Sequence, residues 1–280
     1  MLSKSKLIPL ASAIAAATIS TGANSATWSD SFIGITQGAK FKEPGSPADV
    51  EKTVATLQYV GGYKYGVNFF SVDMLQSDHA NPAIGGTTSS GRAAQEVYAV
   101  YNNTVSFGKL GMNTKFGPIR DVGFQAGFDF NSKNDAFGAG LVKWIAGPKL
   151  EFDVNGLLTL GLLYYKENNN NGISGKDVNF DGTARLATVW SFDYDWVVPT
   201  TFKGWATYTQ EKGKDGFGGN TAPETWLESA LLVDLAQVTG QPKTFYAGVG
   251  YQYIKNKFGN QPSVPGTKVS APSVKMEVHF

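Results

Sequence analysis

The sequence predicts an all-β fold: a transmembrane antiparallel β-barrel of about 12 strands, with short periplasmic turns and longer extracellular loops. Three observations lead there. Apolar and polar residues alternate with period two along most of the chain, turn signals recur at barrel-strand spacing, and the connections alternate between short and long.

Composition narrows the field first. Of 280 residues, 17% are charged and 33 are Gly. The charged share lies below the roughly 25% of ordinary soluble domains. Lys plus Arg number 24 against 23 Asp plus Glu, so nothing marks the chain as a partner of a nucleic-acid polymer. With no Cys, disulfide scaffolds, thiol catalysis and Cys-ligated zinc are excluded. A mean hydropathy of −0.18 does not fit helical membrane proteins, which need apolar runs of about 20 residues.

Residues 1–25 have the three parts of a secretory signal peptide. Lys4 and Lys6 form a basic start, Leu7 to Ile19 an apolar run, and Thr21 to Ala26 a stretch of small residues for cleavage after Ser25. The remaining residues, 26–280, then form an exported barrel domain bound for the bacterial outer membrane, in contact with its lipid.

Alternation is clearest over 121–130. There Val122, Phe124, Ala126, Phe128 and Phe130 share one face, opposite Asp121, Gly123, Gln125, Gly127 and Asp129. The pattern recurs at 149–154, 183–194 and 273–280. Strands are expected near 28–40, 50–60, 63–75, 94–107, 119–130, 137–154, 157–167, 182–195, 202–210, 224–235, 244–255 and 268–280. Gly61-Gly62, Asn155-Gly156 and 196–201 read as turns, and 76–93, 168–181, 211–223 and 256–267 as loops. An even strand count puts both ends of this domain on the turn side.

A soluble sandwich also alternates. Aromatic residues at segment ends argue against it: Trp28, Phe128, Phe130, Trp144, Trp190, Phe192 and Tyr194 suit interfacial girdles. Phe280, the last apolar residue of an alternating segment, looks like the terminal aromatic signal read by outer-membrane assembly machinery. Because hydrocarbon cannot satisfy a bare peptide group, the sheet must close, with its apolar face to lipid and its polar face inward.

That parity supplies a list of lumen residues for binding solute: Glu96, Tyr98, Asp121, Gln125, Asp129, Glu151, Asp153, Tyr165, Arg185, Asp193, Trp205 and Glu228. Asp234, Lys149, Lys203, Lys275, Trp226 and Tyr246 share the face. Opposite charges in one lumen should pair, and Arg185 is expected at the centre of such a cluster. Aromatic rings and mixed charges suit a flat, polar, uncharged solute. Twelve strands give a bore between filled eight-stranded barrels and wide porins. The expected function is a passive channel for small polar solutes, without cofactor or metal.

The sequence resembles the nucleoside-specific channel-forming (Tsx-like) outer-membrane family. Trp28-Ser29-Asp30, Phe41-Lys42-Glu43-Pro44-Gly45, Phe116-Gly117-Pro118-Ile119 and Phe280 carry the likeness. The resemblance implies a monomeric twelve-stranded barrel whose narrow lumen passes nucleosides by diffusion.

The same residues admit two alternatives. A structural barrel with a closed lumen would use the same charges as braces. An enzyme acting on envelope lipids would need a Ser–His pair, for which His79 beside Asp78, Ser77, Ser89 and Ser90 is the candidate and His279 a poorer one. Asp177-Val178-Asn179-Phe180-Asp181-Gly182 carries alternating oxygen ligands but lacks the Glu and flanking helices of an EF-hand, so it reads as a polar loop.

Overall fold

A computed structural model describes residues 26–89 and 91–280; the expected signal peptide lies outside the described residues. The strands are Trp28–Phe41 (β1), Val50–Tyr63 (β2), Gly66–Ser77 (β3), Gln95–Ser106 (β4), Ile119–Lys133 (β5), Val142–Phe152 (β6) and Leu157–Asn171 (β7). They continue with Lys176–Asn179 (β8), Thr183–Tyr194 (β9), Thr200–Thr209 (β10), Glu224–Asp234 (β11), Phe245–Lys255 (β12) and Val269–His279 (β13). Every pairing is antiparallel. Neighbours in sequence pair throughout, apart from β8, and β1 pairs with β13 to close the ring. The short β8 only extends the β7 hairpin, and β7 passes on to β9. The barrel therefore has twelve staves, as the alternation predicts.

The register fixes which side each residue faces. On the outside lie Ile33, Ile35, Leu57, Met74, Phe124, Leu160, Leu162, Leu231, Val249, Val274, Met276 and Val278, all exposed. Such a surface is stable only against lipid. Aromatic pairs stand on this outer face toward both ends of the barrel. Phe128 meets Tyr101 and Trp144 at 5.6 and 5.7 Å. Trp190 meets Phe202 at 6.0 Å, and Tyr194 meets Trp196 at 5.1 Å.

Three local expectations are corrected. Gly61 and Gly62 do not turn the chain; they end β2, and the turn is Lys64-Tyr65. Their missing side chains make room for rings on opposite faces: Tyr59 lies across Gly61, and the Trp28 indole across Gly62. Trp28 thus shares the lumen-facing parity of Asp30 and Phe32 and is no part of an outer girdle. The sixth strand begins at Val142 instead of 137, because 134–141 leaves the ladder: Asp135 caps the backbone N–H groups of Phe137 and Gly138, and the Phe137 and Ala139 carbonyls accept from Gly172 and Asn170.

Not every connection at the turn end is short. Residues 107–118 form a compact turn held by Asp121, which accepts from Thr114 Oγ1 at 2.8 Å and from the N–H groups of Gly108 and Val122. Residues 235–244 contain the one-turn helix Ala236–Thr239, and Asp234 accepts from the N–H groups of Ala236 and Lys243. A strand-terminal Asp organises each long turn.

Candidate functional site

The register places all eleven strand-borne candidates on the inner face, and they divide by height. Asp121, Glu151 and Asp193 stand at the turn-end rim, where Asp121 is occupied with its turn. Glu151 pairs with Arg120 at 2.5 Å, and Asp193 accepts from Thr201 Oγ1 at 2.7 Å. Asp153 lies beyond β6, exposed, 3.9 Å from Lys115. These four are edge residues.

Glu96, Tyr98, Gln125, Asp129, Tyr165, Arg185, Trp205 and Glu228 lie deeper. On one wall Tyr98 donates to Asp129 at 2.9 Å and accepts from Lys143 Nζ at 2.9 Å, while Glu96 accepts from Asn131 at 2.8 Å. Gln125 lies on the same wall, buried on the inner face of β5. On the opposite wall Trp205 and Trp226 stack at 5.9 Å, with 29° between their planes. Beside them Glu228 accepts from Gln252 at 2.7 Å and from the Trp226 indole N–H at 3.3 Å. These rings and their polar neighbours are only half-buried, so the lumen is not close-packed around them. Stacked faces with an acceptor and an amide at their edge can hold a flat, hydroxylated solute.

Toward the loop end the interior fills. Phe41, Val50, Ile254, Val269 and Ala271 form a buried apolar cluster against which Trp226 packs. Next to it Glu167 accepts from Tyr165 Oη and Lys212 Nζ, each at 2.5 Å. Arg185 is not the ionic centre expected of it. Its guanidinium lies 3.9 Å from the Tyr165 ring centre and its Nε donates to Thr209 at 2.8 Å. Glu167 takes the central place, because Lys212 reaches in from the β10–β11 loop. Alternation carries no trace of a loop lysine, so that partner was invisible in the sequence.

A second ionic group crosses the loop-end mouth. Glu43, on the β1–β2 loop, contacts Lys52, Lys257 at 3.1 Å and Lys133 at 3.4 Å; Lys133 also meets Asp135 at 2.6 Å. Lys133 ends β5, and Lys257 follows β12, six staves away round a ring of twelve. One carboxylate therefore joins opposite walls. Burial alone would push the Glu43 carboxyl up; Lys257, Lys52 and Lys133 together outweigh it and hold it well below the usual range. Burial pushes the Lys257 ammonium down to about 8, against the pull of Glu43. None of these residues except Glu43, through its motif, is prominent in the sequence.

At the other end His279 is held between Asp30 (Nδ1 to Oδ1 2.8 Å) and Glu277 (Nε2 to Oε2 3.1 Å), and Glu277 also pairs with Lys203 at 2.6 Å.

His79 has no such setting. It lies in a recess of about 630 Å³ on the outer wall, with Glu51, Gln76, Asp78, Arg92, Gln95 and Asn134 among its neighbours. Ser77 is buried on the inner face and its Oγ accepts from Asn81 Nδ2 at 3.0 Å; among the described residues no Ser bonds His79, and Ser90 lies outside them. Within 177–182, residues 176–179 form strand β8 and Asp177 accepts from Asn170 Nδ2 at 2.9 Å; no group of three or more His, Asp and Glu gathers among the described residues.

No family model and no curated protein matches the chain. Solved structures with a similar fold include the NanC porin, 13% identical over 89% of this chain and 98% of that one, TM-score 0.45. The KdgM porin is 10% identical over 89% and 99%, TM-score 0.44. The translocator domain of the autotransporter NalP from Neisseria meningitidis is 13% identical over 96% and 93%, TM-score 0.41. These likenesses concern the barrel alone.

Proposed function

We propose that this barrel is a passive outer-membrane channel for nucleosides or similar small polar solutes. The observation that carries the reading is the half-buried Trp205–Trp226 stack beside Glu228 and Gln252, inside a closed barrel with a lipid-compatible exterior. Rings of this kind bind any flat face, and the carboxylate and amide at their edge accept from and donate to hydroxyl or base edges. Outward apolar side chains and outer-face aromatic pairs support a place in the outer membrane, with the loops outside and the turns in the periplasm. The Tsx-like motifs support nucleosides as the solute. A single barrel needs no second copy to close its sheet, which supports a monomer.

The solute-binding role falls to Tyr98, Asp129, Trp205 and Glu228, with Glu96 and Gln125 on the same wall as Tyr98 and Asp129, while Tyr165 and Arg185 stand in the filled part of the interior. Asp121, Glu151, Asp153 and Asp193 sit at the rim that a solute crosses on leaving. Liposome swelling tests the reading: nucleosides should enter faster than sugars of equal size. Equal rates would remove the nucleoside claim, and no swelling with either would remove the channel.

A structural barrel with a closed lumen is the second reading, favoured by the buried Phe41, Val50, Ile254, Val269 and Ala271 cluster at the loop end. The same swelling experiment decides between them.

A further inference from the structure

On the outer wall the register sets two unlike rows side by side. Ile35, Ala55, Met74 and Val97 are direct partners across β1 to β4 and belong to the lipid-facing surface. The next outward row toward the loop end is Gln37, Thr53, Gln76 and Gln95, again direct partners and all exposed. The outer face thus passes from aliphatic to polar in a single step. On β5 and β6 the rings of Phe128 and Trp144 stand toward that end, as interfacial aromatics do. On β1 to β4 amides and a hydroxyl take their place.

These polar residues border a formed concavity. Thr53, Gln76 and Gln95 line the recess of about 630 Å³ together with Glu51, Asp78 and Arg92. The β3–β4 connection that supplies Arg92 is fastened through its backbone. There the Ile84 N–H donates to the Asn134 carbonyl and the Ala94 N–H to the Asn81 carbonyl, each at 2.8 Å. Within the row, Gln95 Nε2 donates to Gln76 Oε1 at 2.7 Å, and Gln76 Nε2 to the Ser77 carbonyl at 3.0 Å. Gln37 Nε2 donates to Glu51 Oε1 at 3.1 Å. These bonds hold the row in place, and the Gln95 carbonyl with the Glu51 and Asp78 carboxylates can accept from hydroxyl donors. Arg92, exposed and in no ion pair among the described residues, offers a guanidinium to an anionic group. Two carboxylates beside one cation disfavour a bare phosphate and suit a ligand with several hydroxyls and one negative group. That is the chemistry of a phosphorylated sugar.

We propose that this recess binds the phosphorylated sugar headgroup of an outer-leaflet glycolipid, whose acyl chains lie along the Ile35 to Val97 row. The lipid source follows from the two rows, since a ligand seated on the polar one has a hydrocarbon-compatible wall directly adjoining it. A free sugar phosphate would meet the same oxygens but gain nothing from exposed Ile35 and Met74. The inference rests on the proposed orientation, with the loops outside, because sugar headgroups belong to the outer leaflet. It goes beyond the channel reading, since the recess stands outside the lumen and binds whether or not the bore conducts.

Native mass spectrometry of the full chain, released from amine-oxide micelles, tests this with monophosphoryl lipid A against phosphatidylglycerol. Lipid A should be retained about tenfold more tightly. Arg92→Ala should weaken that retention about tenfold, and so should Gln76→Leu combined with Gln95→Leu. Lys255, an exposed cation on the outer face of β12, is the control, and Lys255→Ala should leave retention unchanged. Unchanged retention in Arg92→Ala and in the glutamine pair would overturn the site, as would an equal loss in Lys255→Ala. Phosphatidylglycerol held as firmly as lipid A would overturn the sugar. Displacement of lipid A by equimolar glucosamine phosphate would overturn the lipid. All the substituted side chains are exposed, and the gel mobility of unheated samples reports whether each variant has closed its barrel. Should the glutamine pair not close, Arg92→Ala alone decides. Lipid A retention without liposome swelling would leave the site standing and remove the channel. Swelling without lipid A retention would do the reverse.

Discussion

Trp205 and Trp226 lie on adjacent strands, β10 and β11, two residues out of register, with their ring centres 5.9 Å apart on the inner wall. Directly paired residues would have put Thr207 against Trp226; the diagonal offset lets the two indoles overlap instead. Glu228, paired with Trp205 across the ladder, then reaches the Trp226 indole N–H.

This arrangement predicts that Trp226→Ala lowers nucleoside affinity by about 1–3 kcal/mol, the usual worth of one base-stacking aromatic. Swelling rates for nucleosides should fall toward those of matched sugars, while sugar rates hold or rise. Unchanged discrimination would place recognition elsewhere in the lumen.

Residues on opposite faces of the neighbouring strands β7 and β9 should behave oppositely. Leu162 is 55% exposed on the outer face of β7, so Leu162→Arg should cost about 2–4 kcal/mol if it lies near the bilayer midplane. Ser191 faces inward on β9, paired with Lys203; Ser191→Arg should leave urea resistance nearly intact and shift ion preference toward anions. Unfolding in liposomes and single-channel recording would read the two effects.

Glu167 is 2% exposed and is the partner of Lys212 at 2.5 Å. Glu167→Gln would leave a buried ammonium uncompensated, a loss of about 3–5 kcal/mol. The β10–β11 loop should detach first, seen as new protease cleavage within 210–223. A double change, Glu167→Gln with Lys212→Met, should recover part of the loss.

Two groups at the mouth make stability rise with pH, each in its own window. Lys257 titrates near 8 when folded and at 10.5 in the ordinary state, so between those values the unfolded chain holds more protons and stability rises with pH. Glu43, held below its ordinary 4.5, contributes stability that is complete above that value and is lost as the pH falls through the lowered one. Urea midpoints measured from pH 7 to 10 should climb in wild type and flatten in Lys257→Met.

Most of the frame was legible because a barrel strand has only two faces. Once Val122, Phe124 and Phe128 are assigned outward, Gln125 and Asp129 must face inward, and the register agrees. Boundaries failed where the backbone departs from plain pairing. Gly61 and Gly62 resemble a turn by composition, yet serve as seats for Tyr59 and Trp28. The ionic partners were least legible, since Lys212, Glu43 and Lys257 come from connections and meet strands far away in sequence. Nothing in local spacing encodes that Lys257 faces Lys133 across the bore.

The pairing of Phe32 with His279 has a bearing on how the molecule is made. The first stave has no permanent neighbour on one side until the last has been synthesised, so every intermediate carries two unsatisfied margins. A chain cut short before residue 269 could bend into an arc but never seal, and its raw margins would be open to other polypeptides instead. Sealing is thus an all-or-nothing event that waits for β13.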